Sequence, residues 1–395
     1  MHRKLDRVGA GTTCSAHRGA LMHAGNGQHE QCITVSRGAA PPGADTEDGP
    51  HWRERIRVLV LTELAQFCMA HRLDSLAGID VSQVLWQYVG RGKCIRSAFM
   101  YLGWLCGAEE DAAALRASAA LELLHAFALL QDDVMDQSHR RRGLASAHVQ
   151  FADHHRRNEM PGCSERFGES AATLLGDMCL VWGEQMMRDS GVPAAALNRV
   201  WPHYDRMRIE LAAGQLADLV NDIRAAPSLD SVLAIARAKS GDYTVKWPLV
   251  MGAAMAGCDT RTCDTLAEYG RLIGEAFQLR DDLLGIYGAP EITGKPGDND
   301  ITGHKASTVV VAAMEMAAPD LRRDLSTLLA APVLDEAATA RIQQLITATG
   351  APAHIESMIS ERLTATRHAL SGLPLPVGRH TLLEELAVAC TTRPF

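Results

Sequence analysis

From Trp52 to the C-terminus, apolar residues recur at the three- and four-residue spacing of a buried helix face, and no run alternates with the two-residue period of a strand. "RERIRVLVLTELAQFCMAHRL" reads as one amphipathic run. The stretch from Ala108 to Arg142 contains neither Gly nor Pro, which predicts one long buried helix. Further helical runs are expected over roughly 165–190, 193–222, 229–257, 260–287, 305–317 and 334–371. The pattern therefore predicts an all-α fold: one large helical bundle over residues 51–395, with its site in a central cavity between facing helices. Residues 1–50 break the pattern. They are rich in Gly, His, Ser and Pro, and read as a disordered N-terminal extension whose histidines (His2, His17, His23 and His29) are solvated.

Composition sharpens this picture at three points. Aromatic residues make up only 5% while Ala and Leu abound, a bias toward helices because neither loses much side-chain entropy there. The formal net charge of -8 argues against a nucleic-acid partner, though a small anionic substrate needs only local positive charge. The ten cysteines include no CxxC, so neither zinc nor a disulfide framework is expected, and the thiols fit a reducing, cytoplasmic setting. No stretch reaches the roughly 18 apolar residues of a membrane span, and no apolar run follows the N-terminal charges as in a secretory signal.

The candidate chemistry lies at two helix ends. The long apolar helix runs into "LLQDDVMDQSHRRRG", where Asp132 and Asp136 share a face one turn apart and Asp133 lies beside them. Three carboxylates near a helix C-terminus repel one another and the helix dipole, so the cluster calls for a cation. With no His or Cys among the ligands, the hard-oxygen set points to Mg²⁺. Asp281 and Asp282, in "FQLRDDLLGIYG", follow a second apolar helix, with Gln278 one turn earlier. Two such ends imply facing walls of a cavity that holds two or more metal ions, bridged by a diphosphate or triphosphate. The cations Lys93, Arg96, Arg141, Arg142, Lys239, Lys295 and Lys305 flank these segments, Arg suited to bidentate and Lys to point-charge phosphate contacts.

On these motifs the chain resembles the trans-isoprenyl diphosphate synthases, from about Trp52 onward. "GKCIR", "ELLHAFALLQDDVMD" with "RRG", "LLGD", "AGQLADL", "KSGDYTVKWPLVMGAAMAG", "FQLRDDLLGIYG" and "TGKPGDNDITGHK" follow in the family's order. There are departures: Gly285 stands where many members have a third Asp, Gln131 where His is frequent, Arg91 where a glycine is common and Ser97 where proline is usual. The resemblance implies a homodimeric enzyme that condenses an allylic diphosphate with isopentenyl diphosphate. Asp132, Asp136 and Asp281 would hold two to three Mg²⁺ ions (Mn²⁺ as a substitute), supported by Asp133 and Asp282. Arg141, Lys239, Lys295 and Lys305 would grip the allylic diphosphate. Lys93, Arg96, His125 and Arg142 would hold isopentenyl diphosphate, while Ser240 and Gln278 ease transient positive charge. Phe127 and Ala128, one turn below the first cluster, would set product length, with bulky Phe127 as the floor and geranylgeranyl diphosphate as the product. Farnesyl diphosphate synthase, a class I terpene cyclase and a non-catalytic subunit of a heteromeric synthase are the competing readings.

Overall fold

Helix α1 (Gly49–Ala70) starts where the Asp48 carboxylate accepts the amide of His51, two residues inside the segment expected to be an extension. The computed structural model describes residues 48–71, 73, 79–222, 227–288, 299–303, 305–331 and 333–392. The four N-terminal histidines and Lys295 lie outside them. The described residues fall in one compact unit.

After α2 (Ser82–Val89) and α3 (Ile95–Leu105) comes α4 (Ala112–Met135), capped at its start by Asp111, which accepts from Ala114 N at 2.8 Å. The expected helix over 108–142 is thus shorter at both ends. At its C-terminal side Gln137 adopts φ 50°, and the chain then folds into a two-stranded ribbon, β1 (Arg140–Arg141) against β2 (Leu144–Ala145). Arg142 at φ 52° and Gly143 at φ 79° form its tight turn, a left-handed pair that periodicity does not reveal. Helices α5 (Ala147–Arg157), α6 (Ser164–Arg188) and α7 (Ala194–Asp222) follow. Next, α8 (Leu229–Ala236) passes through a π-helical segment (Arg237–Lys246) into α9 (Trp247–Ala256).

α10 (Thr260–Tyr287), α11 (Asn299–Thr302), α12 (Thr308–Met316) and α13 (Pro319–Leu329) lead to the region expected as a single helix over 334–371. It is two helices, α14 (Glu336–Ala348) and α15 (Ala351–Leu370), because Gly350 takes φ 81° between them. α16 (Val377–Thr391) closes the described chain.

α4 is apolar on nearly all sides because it is the central rod, enclosed by α1, α3 and α6. Contrary to the composition-based expectation, it is long and apolar enough to cross a membrane, but 67% of its apolar window lies inside the protein. Two glycine contacts place the helices that carry the site. At the α3–α9 crossing, a Cβ on Gly252 would stand 1.8 Å from the Met100 carbonyl oxygen. Where the π segment meets α10, a Cβ on Gly274 would stand 2.4 Å from the Gly241 carbonyl oxygen. No side chain fits at either point, so the backbones touch.

Candidate active site

The C-terminal end of α4 carries the first aspartates into a cleft. Asp133 is buried and points backward: it accepts Tyr88 Oη–H at 2.8 Å and Arg141 Nε–H at 2.9 Å. Its partner Arg141 also reaches Asp132 Oδ2 at 3.1 Å. Asp132 and Asp136 face the opening. Lys239 Nζ, from the π segment, lies 3.2 Å from Asp132 Oδ1 and 2.7 Å from Asp218 Oδ2 on α7. Lys305 Nζ donates to Asp136 Oδ2 at 3.1 Å. Burial works against the Asp132 charge, but Lys239, Arg141 and Lys305 outweigh it and hold the carboxyl below its ordinary range. The same carboxylates outweigh burial at Lys239 and Lys305 and raise both ammonium groups, so both stay charged. Ser240, beside Lys239, lies in the same π segment.

The second pair sits within α10, not at its end, since the helix continues to Tyr287. Asp282 is buried and saturated: it accepts Gln278 Nε2–H at 2.7 Å and both the amide and hydroxyl of Thr308, at 3.0 and 2.5 Å. Burial raises its carboxyl above the usual value despite these bonds. Asp282 therefore ties the start of α12 to α10 and fixes Gln278. Asp281, one residue earlier, is partly exposed. Asp218 acts electrostatically on Asp282 and bonds Lys239, so the two clusters border one charged region.

Among the described residues, no three His, Cys, Asp or Glu side chains already converge as metal ligands; the carboxylates close on lysines instead. The donor set nevertheless fits a hard dication. Every candidate ligand is a carboxylate oxygen, and the crowded negative charge at Asp132 and Asp136 is offset here by ammonium groups.

A second constellation surrounds His125, about two turns of α4 before Asp132. Arg96, near the start of α3, donates to Thr244 Oγ1 at 2.9 Å and stacks on the Tyr243 ring at 4.4 Å. His125 lies 6.2 Å from the same ring, and burial, reinforced by Arg96 and Arg142, holds its pKa well below 6.5. Arg142 is anchored by the Tyr88 carbonyl at 3.0 Å. Lys93 follows Gly92, where an added Cβ would stand 3.8 Å from Arg142 Nη2. Beneath them sits Glu122, which sequence reading missed. It is fully enclosed, accepts the Ser97 hydroxyl at 3.0 Å, and feels both Arg96 and Arg142. A single acid within "LELLHAFALL" was the available signal. The Ser97 departure acquires a role here, because proline could offer neither hydroxyl nor amide to Glu122. Arg96 Nε and His125 Nδ1 are buried without hydrogen-bond partners, so both N–H-bearing groups suit an anion.

Below Asp132 opens a cavity of about 760 Å³, within the range of small-molecule sites. Phe127, Ala128, Gln131 and Met135 of α4 form one wall, Leu180 of α6 a second, and α7 from Asp205 to Leu219 a third. Phe127 is the residue of α4 on this lining that lies furthest from Asp132. From the level of Asp218, beside Asp132, down to Arg208 is ten residues of α7, about 15 Å. Phe127 lies only five residues below Asp132, about 7.5 Å. The α7 wall of the cavity thus extends further from the carboxylates than its α4 wall.

The family model for polyprenyl synthetase matches residues 80–348. The chain belongs to the polyprenyl synthetase family. Among solved structures, the geranylgeranyl pyrophosphate synthase of Corynebacterium glutamicum, complexed with isoprenyl diphosphate and magnesium, is 34% identical with a TM-score of 0.81. That match covers 88% of this chain and all of that chain. A (2E,6E)-farnesyl diphosphate synthase of Mycobacterium tuberculosis is 34% identical over 55% of this chain and 56% of its own length, so the match spans little more than half of that relative. A geranylgeranyl diphosphate synthase of the same organism is 30% identical, with 76% of this chain and 79% of that protein covered.

Proposed function

We propose that the chain is a trans-prenyltransferase that condenses an allylic diphosphate (dimethylallyl, geranyl or farnesyl) with isopentenyl diphosphate, releases pyrophosphate and makes mainly geranylgeranyl diphosphate. The observation that carries this reading is a ring of carboxylates and ammonium groups at the mouth of a deep apolar cavity. Asp132, Asp136 and Asp281 are the residues to hold two to three Mg²⁺ ions, with Mn²⁺ as a substitute; bound there, the metal would neutralise and polarise the leaving diphosphate. Arg141, Lys239 and Lys305 bind the allylic phosphate oxygens and stabilise the negative charge left when the allylic C–O bond breaks. Lys93, Arg96, His125 and Arg142 hold isopentenyl diphosphate so that its double bond reaches the allylic carbon. A carbon–carbon bond forms, and the proton then lost goes to pyrophosphate. Ser240 and the Gln278 carbonyl ease the transient positive charge. Pre-positioning falls to Asp133, which fixes Arg141, and to Glu122, which fixes the start of α3.

The cavity supports the product length. A helical turn rises about 5.4 Å, close to one isoprene unit, so about three turns below the carboxylates accommodate three units beyond the one held at the mouth. Ala128→Phe, at the first turn, is expected to shorten the product to farnesyl diphosphate. A homodimer fits the outer face of α6, where Leu174 and Val181 are each 62% exposed two turns apart. A cytoplasmic enzyme with no nucleic-acid partner and no membrane insertion completes the reading.

The test is incubation with isopentenyl diphosphate and an allylic primer, followed by dephosphorylation and chromatography. Extended prenyl alcohols support the proposal, with the twenty-carbon alcohol dominant. A cyclised hydrocarbon would instead mark a terpene cyclase, and turnover only with a partner chain a non-catalytic subunit.

A further inference from the structure

The cavity lies between α7 on one side and the packed pair α4 and α6 on the other. α4 packs on α6 and α3, α7 packs on α9 and the π segment, and neither α4 nor α6 forms an extended contact with α7. α6 runs antiparallel to α4: Gln131 Nε2 donates to the Thr173 carbonyl at 3.3 Å and to Asp177 Oδ1 at 3.1 Å near the carboxylates, whereas Gly183 packs against the Ala120 and Leu124 backbone well below. Glu184 therefore stands one turn of α6 beyond the cavity-lining Leu180, and it forms a partly exposed ion pair with Arg208 of α7, at the far end of the lining. Arg208 is also held by Asp205 at 2.5 Å and stacks on the buried Tyr204 ring at 4.4 Å. Both Asp205 and Arg208 line the cavity.

We propose that the Glu184–Arg208 ion pair is the floor of the elongation cavity and the residue pair that ends chain growth. This rests on the prenyltransferase reading and deepens it. An apolar tail descends the slot by exchanging water for apolar wall. At the ion pair that exchange stops being favourable: to advance, the tail must separate or desolvate a guanidinium and a carboxylate already paired and stacked on an aromatic face. Bulk alone does not make this stop. Phe127, halfway down, narrows the slot, while the charged bridge closes it.

The experiment compares product lengths from one allylic primer for the wild type, Phe127→Ala, Arg208→Met and Glu184→Ala, with each thermal transition recorded. Arg208→Met keeps an unbranched side chain on Tyr204 and removes the charge; it is expected to lengthen the main product by one or two five-carbon units. Glu184→Ala opens the bridge from α6, serves where Arg208→Met does not fold, and is expected to act in the same direction. Phe127→Ala alone is expected to keep the wild-type length. Folded, active Arg208→Met or Glu184→Ala with unchanged products overturns the floor while leaving the prenyltransferase reading intact. Longer products from Phe127→Ala but not from the bridge variants return the floor to Phe127. No incorporation of isopentenyl diphosphate by the wild type removes the reading and the floor together.

Discussion

The two aspartate pairs look alike in the sequence and differ in the structure. Each is an Asp-Asp step after an apolar helix. On α4 the step is near the helix end, so Asp132 and Asp136 open onto Lys239 and Lys305 while Asp133 turns back to Tyr88 and Arg141. On α10 the helix runs on past the step, and Asp282 is locked by Gln278 and Thr308. In both pairs, consecutive positions about 100° apart on a helix cannot share an environment. On α4, Asp132 lines the cleft while Asp133 is scaffold, and on α10 Asp282 is scaffold while Asp281 is partly exposed. Acidity at a site is thus divided between groups that carry charge to a ligand and groups that hold the first in position.

Asp132→Ala breaks the comparison most severely. Turnover is expected to fall about a thousandfold or more, as on loss of a principal electrostatic group, with little change in the thermal transition. Excess chelator should abolish turnover of the wild type. Full steady-state activity under either condition would remove the metal-assisted reading.

Asp282→Ala should show the opposite signature. It strips partners from the buried Thr308 amide and from Gln278, and is expected to destabilise the fold by about 3 kcal/mol. A denaturant titration showing wild-type stability would place Asp282 with the ligands and erase the distinction.

Arg96→Ala sharpens the division between the two diphosphate sites. Loss of one charge-assisted contact corresponds to roughly tenfold or more in affinity. The Michaelis constant for isopentenyl diphosphate should rise by that factor, and the value for the allylic primer much less; an equal rise in both would misassign the arginine. Ser97→Ala should move the same constant in the same direction by a smaller factor, because it loosens Glu122 beneath Arg96.

The smallest effect is titration of His125. Its pKa is depressed by burial and then by Arg96 and Arg142, so the folded protein binds this proton less readily than the unfolded chain. Its contribution to stability is therefore present above about pH 6.5 and declines as pH falls below that value. His125→Gln should flatten the acid side of the stability curve between about pH 6.5 and 5. Parallel wild-type and variant curves over that window would count against a neutral, buried His125.

Much of this was legible in the chain. Helical periodicity depends only on local spacing, so the all-α class and most long helices could be read directly. The helix ends could not, because Gln137, Arg142 and Gly350 take left-handed backbones that their neighbours' hydropathy does not encode. The aspartate clusters stood out because carboxylates beside apolar runs are costly without a counter-charge. Asp218 lay unremarked within "AGQLADL", since its meaning comes from Lys239, twenty-one residues away in sequence and 2.7 Å away in space.

By itself the sequence determined which residue types sit on which helix and at what spacing, since these follow from local geometry. The tertiary structure decided that Asp133 and Asp282 are taken up by their neighbours, that Ser97 serves Glu122, and that the cavity lining reaches Arg208, which pairs with Glu184. Those outcomes depend on how α4, α6, α7 and α10 are brought together. A carboxylate or an aromatic ring takes its role from the groups that surround it, and these come from distant parts of the chain.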